Sequence, residues 1–310
     1  MNKNINNIVI ITDANYAVPA RTLCNSILKN SINSCIKINI LGIELLEEDI
    51  KKFKQLSSQI NIISMEDNFK TLNFQHQYVS KASLYKFLLP KIFPGIDKIL
   101  YLDCDILVLK NINSVFSIDI NNVYAAVVKD MPAMYSMKLH IQMELNNYFN
   151  SGVMLLNLEK MRKDFISEKL IKLKKEKKFQ RYFMDQNELN YIFGDKVNYI
   201  SPKYNFMSSI GHYEINEIAS FYELKYDEAK EIYDNPVIWH LTGHPKIWNQ
   251  VDSEDFLKWY QYLPEFDYFI HLQNFNKFMK EQIKQITTSK TWKIAKSLQT
   301  IKNKLKIKGV

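Results

Sequence analysis

Glycine is scarce in this sequence, with seven residues in 310, and no glycine-rich phosphate-binding motif is among them. The absence of G-x-G-x-x-G and of the P-loop pattern argues against a dinucleotide site and against a Walker-type phosphate cradle. The three cysteines, Cys24, Cys35 and Cys104, show no paired or C-x-x-C spacing, so neither a disulfide framework nor a zinc site is indicated. Any phosphate or metal site must therefore be built from other residues.

Long apolar runs are also missing. The first apolar segment, Ile8 to Ile11, has four residues, which is too short for a signal peptide or a membrane span. We therefore expect a cytoplasmic protein in a reducing compartment. A hydrophobic content of 46% and a charged content of 24% are typical of a soluble globular chain that can bury a large core.

Positive charge is concentrated near the C-terminus. Residues 271–310 contain ten lysines and one glutamate, a net charge of +9 against a total of +8, so residues 1–270 carry −1. The absence of excess positive charge over residues 1–270 argues against nucleic-acid binding by that part of the chain. We accordingly divide the chain into a domain of residues 1–270 and a basic tail of residues 271–310.

The tail contains a pattern typical of an amphipathic helix. Between Trp292 and Leu305, one helical face carries Ile294, Leu298 and Ile301, and lysines surround it. Such a helix can lie in the surface of an anionic membrane, to which each lysine contributes about 1 kcal/mol. The alternatives to membrane binding are a helix that docks on the domain of residues 1–270 and an arm that binds RNA.

The first third of the chain alternates between predicted strands and predicted helices. Strands are expected at residues 8–11, 36–43 and 60–63, and helices at 17–30 and 46–59. This alternation predicts a parallel sheet wrapped by helices. In such sheets ligands bind at the carboxyl ends of strands, which makes Thr12 to Tyr16 and Asp103-Cys104-Asp105 candidate binding segments.

The segment from Lys98 to Leu109 carries two carboxylates in the middle of an apolar run. On an extended strand, Asp103 and Asp105 share one face, and buried carboxylates are costly unless they are paired or bind a cation. The pair therefore forms half of a site for Mg²⁺ or Mn²⁺. The alternatives are aspartates bonded to a loop backbone, or the strand-borne D-x-D of haloacid-dehalogenase-type phosphatases.

Further along, the pattern predicts the remaining elements. We expect a helix at 80–89 closed by Pro90 and Pro94, a strand at 124–128, a turn around 148–152 entering a strand, a basic helix at 164–178, a helix with Asp185 as N-cap, and a strand at 236–240. After that last strand, His240, Gly243 and Lys246 can supply a metal ligand, backbone N–H groups and a cation for one diphosphate. The alternative for His240 is a hydrogen-bonded core histidine.

With these residues assembled, the sequence resembles the family 8 glycosyltransferases, which include glycogenin and bacterial galactosyl- and glucosyltransferases. The resemblance runs from Ile8 to about Trp248, some four fifths of the chain. Its motifs occur in the family's order: Asp13-x-Asn15-Tyr16, Asp103-x-Asp105, Phe149-Asn150-x-Gly152, Asp185-Gln186-x-x-Leu-Asn190 and His240-x-x-Gly243-x-x-Lys246-x-Trp248. Each motif is weak alone, and the five in order are specific.

The resemblance implies the GT-A nucleotide-diphospho-sugar transferase fold, a single Rossmann-like α/β domain with a mixed, mostly parallel sheet, followed by the helical tail. It implies Mn²⁺, with Mg²⁺ as the alternative, on Asp103, Asp105 and His240. The implied uridine contacts are Asp13, Asn15 and Tyr16, and the implied diphosphate contacts are Gly243 and Lys246. Lys86 stands where the family generally has Arg, and Asp130, Asn150, Asp185 and Gln186 match residues around the transferred sugar.

The implied activity is transfer of glucose or galactose from a UDP-sugar to a glycan acceptor, with retention of anomeric configuration. The acceptor class is a cell-surface polysaccharide, a lipooligosaccharide or a glycoprotein, met at the inner face of the plasma membrane. Because Gln186 is a poor nucleophile, we expect front-side attack rather than a double displacement. The non-enzymatic alternative is an inactive relative that serves as a partner of another transferase.

Overall fold

The computed structural model describes residues 5–32, 34–67, 81–136, 147–176, 185–243, 246–249, 253–292 and Lys296. The strands are β1 (Asn6–Asp13), β2 (Ile36–Ile43), β3 (Ile60–Met65), β4 (Lys98–Leu102), β5 (Ile106–Val108), β6 (Ala125–Lys129), β7 (Phe149–Asn157), β8 (Val197–Tyr199), β9 (Phe206–Met207) and β10 (Ile238–His240). The α-helices are α1 (Ala17–Asn30), α2 (Glu47–Leu56), α3 (Leu89–Ile92), α4 (Met131–Ser136), α5 (Leu158–Lys163), α6 (Ile166–Lys175), α7 (Gln186–Phe193), α8 (Ile215–Tyr222), α9 (Tyr226–Asp234), α10 (Glu254–Tyr260) and α11 (Tyr268–Thr288).

These strands form two sheets. The larger has seven strands in the order β3-β2-β1-β4-β7-β6-β8, and the smaller has the order β5-β10-β9. In the larger sheet only β7 is antiparallel to its neighbours, β4 and β6. In the smaller sheet β10 is antiparallel to β5 and parallel to β9. The mixed, mostly parallel α/β architecture predicted from the sequence is confirmed.

The apolar run of β1 is buried on both faces of the larger sheet. Ile8 and Ile10 pack with α1 on one face, whereas Val9 and Ile11 pack against the helices of the other face. Strands covered on both sides have near-continuous apolar runs, which is why this segment shows no polar alternation. The predicted bounds of α1 and β2 are confirmed.

The two carboxylates of the D-x-D segment lie in a turn between the two sheets, so the expectation that both stand on an extended strand is wrong, although they do follow a strand end as predicted. The chain leaves the larger sheet after Leu102 and enters the smaller one at Ile106. There β5 pairs with β10, a strand far along the chain. Apolar residues flank the turn on both sides, so the local pattern does not mark the break.

Several other predicted elements differ in type or bounds. Residues Lys81–Leu88 form a 3-10 helix, and Pro90 lies in the first turn of α3 instead of closing a helix. The segment 149–152, expected as a turn, belongs to β7. The basic helix expected from residue 164 begins at Ile166, because the chain takes a left-handed conformation at Phe165, with φ of +53°.

The C-terminal part of the described chain is the 21-residue helix α11. It runs through the division predicted between residues 270 and 271. The amphipathic helix predicted from Trp292 to Leu305 lies outside the described residues, apart from Trp292 and Lys296. None of the helices within the described ranges is long and apolar enough to cross a membrane.

A buried ion pair joins Asp267, the residue before α11, to helix α1. The guanidinium of Arg21, in α1, donates to both carboxylate oxygens of Asp267 at 2.7 and 2.8 Å, and Nη1 lies 2.7 Å from Asp49 Oδ1. The side chains of Arg21 and Asp267 are 1% and 0% exposed. The two-pronged geometry is the strongest that Arg and a carboxylate form.

Candidate active site

A cluster of possible metal ligands lies where the two sheets meet. Asp103 follows β4, Asp105 precedes β5, and His240 ends β10 opposite Ile106. One ligand atom from each of the three side chains lies within 4.8 Å of the others. The pairing of β5 with β10 therefore brings the histidine predicted at a strand end to the two aspartates.

Asp105 is held by two basic groups. Its Oδ1 lies 3.2 Å from His240 Nε2, and its Oδ2 lies 2.5 Å from Lys246 Nζ. Burial would raise the pKa of Asp105, but the charge of Lys246 and the neighbouring His240 outweigh it and hold the pKa well below its usual range. The carboxylate is therefore ionised at neutral pH and is available to a cation.

The residues present fit a divalent cation. Two carboxylates and an imidazole are a ligand set that several divalent cations accept. A Cβ on Gly152 would lie 2.2 Å from His240 Cε1 and 2.9 Å from Asp103 Oδ2. Only glycine at this position of β7 leaves room for the ligands.

Lys86 occupies a buried position between two carboxylates. Its Nζ lies 2.7 Å from Asp185 Oδ2 and 3.1 Å from Asp103 Oδ1. It also donates to the Ser151 carbonyl and hydroxyl, at 3.2 and 3.3 Å. Burial lowers the pKa of Lys86, but the two aspartates outweigh this and raise it to about 12. Asp185 stands at the N-cap position of α7, as predicted, but its side chain makes no capping bond and pairs with Lys86 instead.

A second network joins three of the residues predicted around the transferred sugar. Asp130 Oδ2 accepts hydrogen bonds from Asn150 Nδ2 and from Gln186 Nε2, each at 3.0 Å. Gln186 Oε1 accepts from the backbone N–H of Ser151 at 3.0 Å. All of these side chains are buried. The amide of Gln186 is therefore fixed at both ends.

The predicted nucleotide segment forms the start of the helical region after β1. Asp13 caps the 3-10 helix Ala14–Tyr16 by accepting from the backbone N–H groups of Asn15 and Tyr16, at 2.9 and 3.2 Å. The Tyr16 ring meets Trp248 edge-on, with ring centroids 5.9 Å apart. Burial raises the pKa of Tyr16, which also lies in the electrostatic field of Lys246 and Asp105. The Tyr16 ring is thus held against Trp248, two residues along the chain from Lys246.

Three further predicted residues contribute less directly. Thr12 and Cys104 are 1% and 8% exposed, so neither presents its side chain to solvent. Cys104 Sγ donates to the Ile11 carbonyl at 3.1 Å. Gly243 is exposed and has a φ of +96°, a conformation that residues with a side chain rarely adopt.

The sequence did not reveal Asn205, which contacts the ligand cluster. Its side chain is fully buried, and its Oδ1 lies 2.9 Å from His240 Nδ1. Asn205 stands between a 3-10 helix (Pro202–Tyr204) and β9. Pro202 marks a turn, but no motif or periodicity distinguishes this asparagine from the many others in the chain.

Comparison with known proteins identifies the family. The model described as glycosyl transferase family 8 matches residues 7–252. The chain belongs to glycosyl transferase family 8. This membership confirms the resemblance carried by the five motifs and replaces the phosphatase alternative. The family 8 chain is 28% identical over 272 residues to lipopolysaccharide 1,2-glucosyltransferase of Escherichia coli, covering 84% of this chain and 76% of the relative. It is 26% identical over 254 residues to general stress protein A of Bacillus subtilis, covering 79% and 88%.

Solved structures share the fold of this family 8 chain. The galactosyltransferase LgtC, in complex with donor and acceptor sugar analogues, superposes with a TM-score of 0.70 at 20% identity, covering 84% of this chain and 98% of LgtC. The glycosyltransferase GlyE of Streptococcus pneumoniae gives a TM-score of 0.61 at 22% identity, covering 91% and 64%. The predicted GT-A fold is thereby confirmed.

Proposed function

We propose that this family 8 glycosyltransferase transfers glucose or galactose from a UDP-sugar to a hydroxyl group of a cell-surface glycan acceptor. The observation that carries the proposal is the cluster of Asp103, Asp105 and His240, with Lys246 bonded to Asp105 and Tyr16 packed on Trp248, two residues after that lysine. It combines cation ligands, a cation for phosphate and an aromatic ring in one place. A sugar nucleotide presents a diphosphate and a base to match them.

Different residues of the chain would bind different parts of the UDP-sugar. Asp103, Asp105 and His240 would hold Mn²⁺, which when bound supplies Lewis-acid stabilisation of the negative charge on the departing diphosphate. Lys246 would move from Asp105 towards the phosphate oxygens and add a second positive charge. Tyr16 would stack on the uracil, and Asp13 and Asn15 would bind the uridine. Asp130, Asn150 and Asp185 would orient the sugar.

We infer retention of configuration by front-side attack. Gln186 is an amide held at both ends by Asp130 and the Ser151 N–H. Asp185 is paired with Lys86 and accepts from the Ser151 hydroxyl at 2.9 Å. Neither is a ready nucleophile, so an oxygen of the leaving phosphate would take the acceptor proton as the acceptor attacks from the same face. A trapped enzyme with the sugar bonded to Gln186 or Asp185 would contradict this.

The experiment that tests the donor is release of UDP from a panel of UDP-sugars, with and without Mn²⁺. We expect slow Mn²⁺-dependent hydrolysis of one hexose nucleotide by the wild type, because water replaces the acceptor. Asp105→Ala should remove the Mn²⁺-dependent part, since the ligand cluster is lost. The matched control is Asp227→Ala, which removes an exposed carboxylate at the start of α9.

The same experiment separates the enzyme from an inactive relative. UDP binding is measured by calorimetry alongside turnover, in the presence and absence of Mn²⁺. Absence of both turnover and metal-dependent UDP binding would favour a partner of another transferase. Binding without turnover would keep the donor assignment and indicate that the acceptor is required.

We further propose that the enzyme binds the cytoplasmic face of an anionic membrane through its C-terminal part. Helix α11 exposes Leu272, Met279, Ile283 and Ile286, spaced by seven, four and three residues, so that they share one helical face. The lysines at 277, 280 and 284 are exposed beside this stripe. An apolar stripe flanked by lysines is the arrangement that binds in a lipid interface.

Membrane binding is tested by sedimentation with vesicles of phosphatidylglycerol and of phosphatidylcholine. We expect binding to the anionic vesicles that weakens as salt is added, because exposed charges are screened. Ile283→Glu should reduce it, since the charge enters the apolar stripe. Gln285→Glu, which adds the same charge elsewhere on α11, is the control and should bind nearly as well as the wild type. Equal loss of vesicle binding in both variants would show that net charge, and not the apolar stripe, determines the attachment.

A further inference from the structure

The two nitrogens of His240 face different partners. Nε2 lies 3.2 Å from Asp105 Oδ1, on the side of the ligand cluster, and Nδ1 lies 2.9 Å from Asn205 Oδ1. A neutral imidazole carries one proton, and the other nitrogen offers the lone pair that binds a metal. The position of that proton therefore decides whether Nε2 is a metal ligand. The Asp105 carboxylate attracts it to Nε2, which would block the site.

The orientation of the Asn150 amide is fixed by groups that cannot change roles. The backbone N–H of Gly152 donates to Asn150 Oδ1 at 2.9 Å, and Asn150 Nδ2 donates to Asp130 Oδ2 at 3.0 Å. A backbone N–H can only donate, and a carboxylate can only accept. If the Asn150 amide were flipped, its Nδ2 would face the Gly152 N–H and its Oδ1 would face the Asp130 carboxylate. Neither pair could form a hydrogen bond.

The orientation of the Asn150 amide determines that of the Asn205 amide. Asn205 Nδ2 lies 2.9 Å from Asn150 Oδ1 and must donate to it, so Asn205 Oδ1 is the atom that faces His240. An amide oxygen can only accept, which requires a proton on His240 Nδ1. Asn205 is 0% exposed, so water does not offer an alternative partner.

We propose that Asn205 is a positioning residue that keeps the proton of His240 on Nδ1 and leaves Nε2 open to a cation. The relay starts at Asp130, in the predicted sugar site, and runs through Asn150 and Asn205 to the metal ligand. It rests on the proposed metal site, but the proton position is a property of the chain alone. The metal side and the sugar side of the active site thus share one hydrogen-bond network.

The test is nitrogen NMR of the ¹⁵N-histidine-labelled full chain, free of metal, at about pH 8, where an ordinary imidazole is neutral. The His240 signals are those lost in His240→Gln. We expect the wild type to be protonated at Nδ1. Asn205→Ala should move the proton to Nε2 and weaken Mn²⁺ binding, measured by calorimetry, about 10- to 100-fold. Asn205→Asp loses the donor to Asn150 Oδ1 but keeps an acceptor for Nδ1–H, and should retain the Nδ1 tautomer.

The outcomes are distinct. A wild type protonated at Nε2 would overturn the proposal without recourse to any variant. A proton on Nε2 in Asn205→Asp as well as in Asn205→Ala would also overturn it, because an acceptor facing Nδ1 would then not determine the tautomer. A wild type that binds no Mn²⁺ would refute the proposed metal site, and the tautomer measurement would still decide the role of Asn205.

Discussion

Gly152→Ala is expected to abolish metal-dependent activity as completely as loss of a ligand. The added Cβ would lie 2.2 Å from His240 Cε1 and 2.9 Å from Asp103 Oδ2, so at least one ligand must move. His240 is 3% exposed and bonded to Asn205, which leaves the ring little freedom to retreat. A displacement of about 1 Å at a reacting site costs about 100-fold in rate. We expect losses of this size in Mn²⁺ affinity and in Mn²⁺-dependent UDP release.

The matched control for this prediction is Gly95→Ala. A Cβ at Gly95 meets nothing within 4 Å, so the same chemical change is made without crowding. Thermal unfolding of both variants separates a damaged site from a damaged fold, because overpacking alone costs about 1–3 kcal/mol. If Gly152→Ala binds Mn²⁺ and releases UDP as Gly95→Ala does, the ligands are not where the cluster places them.

Asp267→Ala is expected to lower the free energy of unfolding strongly. It removes the carboxylate that meets two nitrogens of Arg21, and leaves the guanidinium buried with Asp49 on Nη1 alone. An uncompensated charge in the interior costs about 3–5 kcal/mol. We expect a lower urea midpoint and a lower melting temperature than those of the wild type.

Two further variants identify the cause. Asp234→Ala breaks an exposed ion pair with Lys230, spaced by four residues on α9, and should leave the unfolding midpoint nearly unchanged. Arg21→Met combined with Asp267→Leu removes both charges and should be more stable than Asp267→Ala alone. A double variant as unstable as the single one would show that packing, and not the buried charge, determines the loss.

The sequence predicts elements best where the local pattern is the cause of the structure. The bounds of α1 and β2 were correct because apolar spacing and burial coincide there. The break at Asp103 was missed because it depends on the pairing of β5 with β10, which is decided by residues distant in the chain. Helix α11 agrees with the helical tail that the resemblance implied, but its start at Tyr268, where the ring packs on Tyr260, was not predicted.

The candidate site follows the same division. The motifs identified Asp103, Asp105, His240 and Lys246, which the fold brings together. They also identified Lys86, the partner of Asp103, but not Asn205, the partner of His240. Asn205 acts through one buried amide whose role depends on the orientation of Asn150, and such orientation is set by tertiary contacts that leave no spacing in the sequence.

The turn from Asp103 to Asp105 constrains how the enzyme can evolve. Asp103 follows the last residue of β4 in the larger sheet, Asp105 precedes the first residue of β5 in the smaller one, and His240 ends β10 of the smaller sheet. Neither sheet carries a complete ligand set, and only Cys104 separates the two aspartates. Recombination that exchanged one sheet for that of a distant relative would therefore have to preserve this junction atom by atom. New specificities are reached more easily by changes in the loops around it.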